Sequence, residues 1–350
     1  MDRKLRIGII GTGGISHCHM AGYLAQADRV EVVAACDLSR PRREAFGARY
    51  GITSLYGDYH VMLADEDLDA VSVCIWNDGH RDASIAALQS GRNVLCEKPM
   101  AMNEQEARDM QAAAEASGKL LMIGFVRRFG TTTAAARDFI ARGILGRIQY
   151  VKATYLRRNG NPGGWFSDRT RSGGGPLIDL GVHVMDLARY LCGGPMPISV
   201  YGATLSGKGV EGRIKGDERY RSVDFSDACD VEDFATALIR FDDGTVLSVE
   251  TSFRLDLKED EGSVRLFGTK GGLCLEPVFS IQTDMEDYLV DIAPRVGRSA
   301  DPFLGEISHF VDCLSDGVPC LSPAADGVVL MRMIDAIYES ARTGHEIRLS

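Results

Sequence analysis

The chain has 350 residues, 45% hydrophobic and 25% charged, and 49 acidic against 39 basic side chains give a net charge of −10. That length suits two domains of ordinary size. The acidic balance speaks against nucleic acid and anionic membranes as partners, and no apolar run approaches the ~20 residues of a membrane span.

The first part of the chain alternates two kinds of segment. Residues 4–10, 30–37, 70–76, 93–98 and 120–125 are short runs rich in β-branched and apolar side chains. Ala-rich stretches of helical period lie near 15–27, 40–49, 57–65, 79–90 and 103–118. The runs are apolar nearly throughout, as parallel strands covered on both faces are. This order predicts a doubly wound α/β domain, a Rossmann domain, over residues 1–124. The opening MDRKLRIGIIG has too short an apolar core for a signal peptide and reads as the first strand. Nine cysteines without a C-x-x-C point to a reducing cytoplasm, with most thiols acting as small core side chains.

Gly11, Gly13 and Ser16 form a G-x-G-x-x-S turn between the first strand and the first helix. Glycine at 11 permits the tight turn, and glycine at 13 lets a pyrophosphate approach the backbone. Gly14 and Ile15 lead into the helix, whose free N–H groups then face phosphate. His17 and His19 follow, but two residues apart on a helix they point to different sides and form no chelate. The second strand ends at Asp37, 21 residues after Ser16, where an acid accepts hydrogen bonds from the adenosine ribose. Arg40 is placed to stack on adenine or to meet a 2′-phosphate. Asp37 would repel that phosphate, so NAD is favoured and NADP is the alternative. Trp76, Asn77 and His80 follow the fourth strand at its carboxyl end, where ligands of open α/β sheets lie. They are candidate cofactor neighbours, with a polar turn and helix cap as the plainer role for His80. Glu97 and Lys98 end the fifth strand beside the same cleft, and Pro99 biases Lys98 toward an extended backbone.

The texture changes after residue 124, and residues 125–350 form the second expected domain. A helix is expected near 131–142, a strand over 146–158 and a Gly-rich loop over 159–175. A helix over 177–192 comes next, followed by strands at 197–205, 233–241, 245–253 and 263–268. Asp243-Gly244 between two of these runs is a hairpin signal. The polar stretch 206–228 reads as a long surface loop, and helices near 303–315 and 324–342 close the chain. An α+β domain with a large, mostly antiparallel open sheet is the expected architecture.

Within the 177–192 segment, Asp179, His183 and Asp186 are spaced four and three apart, which places them on one helix face. The surrounding residues are apolar on nearly every side, as in a buried helix. A structural hydrogen-bonded pair and a catalytic pair both fit this pattern. Zinc needs three or four ligands and no nearby segment completes the set, so no metal is expected. A carboxylate that orients an imidazole suits general acid–base chemistry, typically worth ~10²–10⁴ in rate.

The motifs GIIGTGGIS (8–16), CD (36–37), GRNVLCEKPMA (91–101), GFVRRF (124–129) and GGGPLIDLGVHVMDL (173–187) together resemble the Gfo/Idh/MocA family. This is the glucose–fructose oxidoreductase and inositol dehydrogenase group. The resemblance implies an active site of Lys98, Asp179 and His183 without metal. Lys98 would hydrogen-bond the reacting oxygen and His183, held by Asp179, would relay the proton; Asp186 would be structural. It also implies that Arg127, Arg157 and Trp165 meet the substrate. The expected activity is hydride transfer between a nicotinamide and a hydroxyl-bearing carbon of a sugar or cyclic polyol, inositol-like. The alternatives are an NAD-dependent glycoside hydrolase of the same family and a non-catalytic nucleotide-binding regulator. The intact Lys98, Asp179 and His183 count against the regulator. An open sheet with one bare face implies a homodimer or homotetramer formed through that sheet.

Overall fold

The computed structural model describes residues 3–209, 219–222, 228–297 and 300–349. Parts of the surface loop expected over 206–228, residues 210–218 and 223–227, lie outside the described residues. The chain divides into two compact units, Met1–Gly130 with Ala300–Val328, and Thr131–Ser299 with Val329–Ser350.

The first unit is a six-stranded parallel sheet in the order β3-β2-β1-β4-β5-β6. Its strands are β1 (Leu5–Ile10), β2 (Val30–Cys36), β3 (Ser54–Tyr56), β4 (Ala70–Val73), β5 (Asn93–Glu97) and β6 (Leu121–Gly124). The helices between them are α1 (Ser16–Leu24), α2 (Arg40–Tyr50), α3 (Tyr59–Asp65), α4 (Asn77–Gln89) and α5 (Glu104–Ser117). Strand order reverses beside β1, so the carboxyl ends of β1 and β4 frame the crevice where such sheets bind ligands. Strand β3 is not among the expected runs: three half-buried residues are too few to show a period.

The sequence division at 124/125 is linear, whereas this unit also contains α9 (Pro302–Asp316). The reason is packing. A Cβ on Gly22 of α1 would lie 2.5 Å from Ile307, so only a glycine lets the two helices approach this closely. Ile307, Phe310 and Val311 then complete the core formed by Ile7, Ile9, Met20 and Tyr23.

The second unit holds α6 (Thr131–Ala141), α7 (Arg169–Ser172), α8 (Val182–Leu191) and a nine-stranded sheet. The sheet order is β14-β13-β12-β11-β7-β10-β9-β8-β15. Its strands are β7 (Ile148–Leu156), β8 (Pro197–Leu205), β9 (Phe234–Phe241), β10 (Val246–Ser252), β11 (Glu261–Gly268), β12 (Gly271–Cys274), β13 (Ser280–Met285), β14 (Tyr288–Ile292) and β15 (Ile347–Arg348). All neighbours run antiparallel except β7 and β10, which are parallel. The hairpin at Asp243-Gly244 joins β9 to β10, with Gly244 at φ +88°. The turn between β13 and β14, Glu286-Asp287, places two non-glycine residues at positive φ, so no Asn-Gly or Asp-Gly signal marks that hairpin. Helix α10 (Ala324–Thr343) crosses the division at Val328.

The segment expected as one α-helix over 177–192 is two pieces. Leu177–Gly181 forms a π turn, and α8 follows it. Gly181 lies close against Thr251 of β10, 3.3 Å from where its Cβ would be. No described helix is long and apolar enough to cross a membrane.

Candidate functional site

In the first unit, the turn after β1 has the features a dinucleotide needs. Gly11 has φ +94°, and a Cβ there would meet the Cys74 carbonyl oxygen at 2.3 Å, so only glycine fits. At Gly13 and Gly14 a Cβ would meet nothing within 4 Å, which leaves room for a ligand to rest on the backbone. Ser16, in the place of the usual third small residue, is buried and donates from Oγ to the Gly13 carbonyl at 2.6 Å. No side chain caps α1 and no acid occupies its first turn, so its N-terminal N–H groups suit an anion. Ile15 is half-buried immediately before the helix.

Asp37 stands at the end of β2 as expected. Its Oδ2 accepts from the Thr12 backbone N–H (2.8 Å) and hydroxyl (2.9 Å), and its Oδ1 from the Ser39 N–H (2.8 Å). A carboxylate accepts about four hydrogen bonds, so capacity remains for a ribose hydroxyl. Sequence reasoning misses Thr12; its signal is a donor inside the glycine turn. Arg40 is exposed and its Nε donates to Glu44 at 2.7 Å. Arg43, by contrast, donates to the Asp37 carbonyl at 3.1 Å, a second cation at this strand end.

At the ends of β4 and β5, Trp76 is half-buried and Asn77, the first residue of α4, is buried. His80 is buried with Nδ1 2.7 Å from the Pro99 carbonyl oxygen and Nε2 3.1 Å from that of Ile75. Both ring nitrogens therefore face protein backbone, and the residue buttresses the turn after Lys98. Burial lowers the pKa of His80 despite those two carbonyl contacts, which push it up. The Lys98-Pro99 peptide bond is cis. Lys98 is the one residue between Val94 and Ala101 that is not buried. Glu97 turns inward: its Oε1 meets His19 Nε2 at 2.8 Å and its Oε2 accepts the Lys98 N–H at 3.1 Å. Arg127 is half-buried in a 3₁₀ turn, Val126–Phe129, while its neighbour Arg128 is buried against the Leu321 carbonyl and Asp326.

In the second unit, the chain from Gly174 to Arg189 is buried at every position except Asp179 and His183. Asp186, the third member of the sequence pattern, is only 4% exposed. The stripe thus splits into two accessible groups and one interior acid. The GGGP run that precedes it is explained by close approach. A Cβ on Gly174 would lie 2.0 Å from the Tyr338 hydroxyl, and one on Gly175 would lie 2.4 Å from the Glu232 carbonyl. Glu232, buried and remote in sequence, accepts from the N–H groups of Gly175 (3.0 Å) and Leu177 (3.3 Å) and from Tyr338 (2.8 Å). It anchors the helix start, and no local pattern announces it.

The same unit holds Arg157 and Trp165, two of the residues expected to meet the substrate. The His183 and Tyr155 rings lie 6.4 Å apart. The Arg157 guanidinium sits 5.4 Å from the Tyr155 ring and 4.0 Å from that of Tyr220, and donates to the Gly160 carbonyl. Trp165 stacks on Phe166 at 3.9 Å between ring centres.

Comparison with known proteins decides the family. The profile described as an oxidoreductase family with an NAD-binding Rossmann fold matches residues 5–125, and that of the GFO/IDH/MocA C-terminal domain matches residues 133–274. The chain belongs to the GFO/IDH/MocA oxidoreductase family. It is an NAD(P)-dependent dehydrogenase by that membership. The D-glucoside 3-dehydrogenase of Escherichia coli K12 is 33% identical, with 99% of this chain and 97% of the relative covered. The myo-inositol 2-dehydrogenase of Thermotoga maritima is 26% identical over 99% of this chain and 98% of its own. Among solved structures, a levoglucosan dehydrogenase in complex with NADH superposes with a TM-score of 0.86 at 23% identity, covering 99% of this chain and all of the other. That likeness is one of fold.

Proposed function

We propose that this family member transfers a hydride between NAD and a hydroxyl-bearing carbon of a sugar or other polyhydroxylated ring. The observation that supports it most is the pair Asp179 and His183, the only accessible positions on a buried helix start. When bound, the nicotinamide supplies hydride acceptance and return at its C4. Gly11, Gly13, Gly14 and Ile15 would hold the pyrophosphate, Asp37 the adenosine ribose, and Trp76 and Asn77 the nicotinamide side. The chain's own part is then orientation and proton transfer. Lys98 hydrogen-bonds the reacting oxygen, and His183, oriented by Asp179, takes or returns the hydroxyl proton. Arg127, Arg157 and Trp165 hold the remaining hydroxyls and cover the ring.

The named relatives act on a glucoside and an inositol, so a ring with several hydroxyls is the common chemistry. The test is a near-ultraviolet absorbance assay with NAD and NADP against glucosides, anhydrosugars, inositols and aldoses. Growth of the reduced-nicotinamide band with one group names the substrate class. Silence across the panel sinks the reading.

We infer further that copies associate through the sheet of the second unit. One face of that sheet leaves Tyr150, Tyr201, Leu238 and Phe267 more than a third exposed. Tyr150 and Phe267 pair across β7 and β11 and stack at 5.7 Å. Light scattering on wild type and Phe267→Asp tests this: a wild-type monomer rejects it.

A further inference from the structure

Glu306 of α9 is 0% exposed, and neither of its carboxyl oxygens has a hydrogen-bond partner among the described residues. Its neighbour Ile307 packs against Gly22 of α1, so this stretch of α9 lies in the core. Glu306 points at two other buried groups. The donor atoms of His19, Glu97 and Glu306 all lie within 4.8 Å of one another.

The three are unequal. Glu97 has both oxygens engaged, one by His19 and one by the N–H of Lys98. His19 is itself braced: its Nδ1 lies 3.1 Å from Ser72 Oγ, which lies 2.7 Å from the Tyr23 hydroxyl. Two ionised carboxylates side by side, out of water, repel each other and each lose hydration. One proton removes the conflict. It belongs on the acid without donors, because a protonated carboxyl gains an O–H that can be aimed at the anion of Glu97.

We propose that Glu306 is a neutral acid that, together with His19, fixes the side chain of Glu97 and through it the backbone at Lys98. Glu306 is thus a positioning residue, and His19 links the helix that starts at the dinucleotide turn to the same point. The proposal rests on the reading of Lys98 as the group that meets the reacting oxygen. The charge balance agrees with it. Burial opposes the charge on Glu97, but the His19 hydrogen bond and the nearby Lys98 outweigh it and hold that carboxyl below its ordinary range. Burial first, then the charge of Glu97, push Glu306 well above. The other titratable groups that feel the pair are Cys18, Tyr23, Cys74, His80, Cys96 and Lys98.

The test compares wild type, Glu306→Gln and Glu306→Ala. Infrared spectra at neutral pH should show an un-ionised carboxyl band, shifted in D₂O, that Glu306→Gln lacks. Gln keeps the shape and neutrality, so its turnover should stay within about twofold of wild type. Glu306→Ala should lower kcat by roughly 10- to 100-fold with the KM for NAD unchanged. The proposal is overturned if the Gln variant leaves the infrared spectrum unchanged. It is equally overturned by a stoichiometric metal ion in wild type that Glu306→Gln loses, or by full kcat in Glu306→Ala. If instead Lys98→Ala keeps wild-type turnover while the infrared band is present, it is the reading of Lys98 that fails.

Discussion

Two glycine-rich turns prepare the two halves of the proposed chemistry, and they use glycine in opposite ways. At Gly13 and Gly14 the missing side chains leave open space, with no atom within 4 Å of where a Cβ would stand. At Gly174 and Gly175 the same absence is filled by the protein itself, by Tyr338 and Glu232. The first turn is shaped for a ligand to complete; the second is already complete and serves to hold Asp179 and His183 at a fixed place. One residue type therefore marks a binding surface in one unit and a packing contact in the other. Only the surroundings distinguish them.

The largest expected effects lie at the groups that each turn presents. Lys98→Ala and His183→Ala should each reduce kcat by ~10²–10⁴ while NAD still binds, since the proposal gives Lys98 the reacting oxygen and His183 its proton, and leaves most of the dinucleotide to the turn after β1 and to Asp37. Stopped turnover together with lost NAD affinity would break the division of labour between the two regions. Next in size is the exchange of glycine for alanine. Gly175→Ala places a Cβ 2.4 Å from the Glu232 carbonyl and should destabilise the fold by about 1–3 kcal/mol. Gly13→Ala meets no protein atom, so its melting temperature should stay at the wild-type value. Its NAD affinity should fall about tenfold or more, about 1.4 kcal/mol. Calorimetric melting and NAD titration on the two variants read both effects. Equal melting losses would show that the first turn is packed as well.

This contrast also sets how much of the molecule is legible from sequence. The parallel strands are apolar on both faces and bounded by helices, so their runs stand out, and Gly11, Gly13 and Asp37 follow from spacing to the first strand. Lys98, Asp179 and His183 are visible through motif and period. What stays hidden depends on partners distant in the chain. Glu232 lies 55 residues from Leu177, and Tyr338 is 106 residues from Glu232. Glu306 is buried beside His19 and Glu97, which lie more than 200 residues earlier in the chain and give its position no local signal. His80 is visible as a polar residue after β4, but periodicity does not reveal that both its ring nitrogens lie against backbone carbonyls. The π turn at Leu177–Gly181 is likewise unreadable, because the helical spacing of Asp179, His183 and Asp186 fits an α-helix there as well.

A smaller effect concerns the strand end proposed to hold the adenosine ribose. Asp37→Ala removes the acceptor of two N–H groups and one hydroxyl. It should weaken NAD binding and reduce discrimination against NADP by about tenfold, about 1.4 kcal/mol. Arg43, already bonded to the carbonyl at that position, is available to a 2′-phosphate once the acid is gone. Binding isotherms for both dinucleotides check this, and an unchanged preference would move the discriminating role from Asp37 to the basic side chains Arg40 and Arg43.

The smallest expected effect is a pH dependence of stability, and here the buried groups of the first unit act in opposite directions. An unfolded imidazole titrates near ~6.5, and burial holds His80 lower in the folded protein. Between those two values only the unfolded chain takes up the proton, so stability falls as the pH drops through that window. Glu306 is the reverse case, because its folded carboxyl lies well above the ordinary 4.5. Above 4.5 the folded protein keeps a proton that the unfolded chain has released, so this contribution declines as the pH rises toward the folded value. Each group contributes at most ~1.4 kcal/mol per pH unit. Melting temperatures between about pH 5 and 9 should therefore show a flatter acid limb in His80→Gln and a flatter alkaline limb in Glu306→Gln. An alkaline limb that matches wild type in Glu306→Gln would mean that the acid is ionised in the fold, and the cluster of His19, Glu97 and Glu306 would then need a cation to balance it.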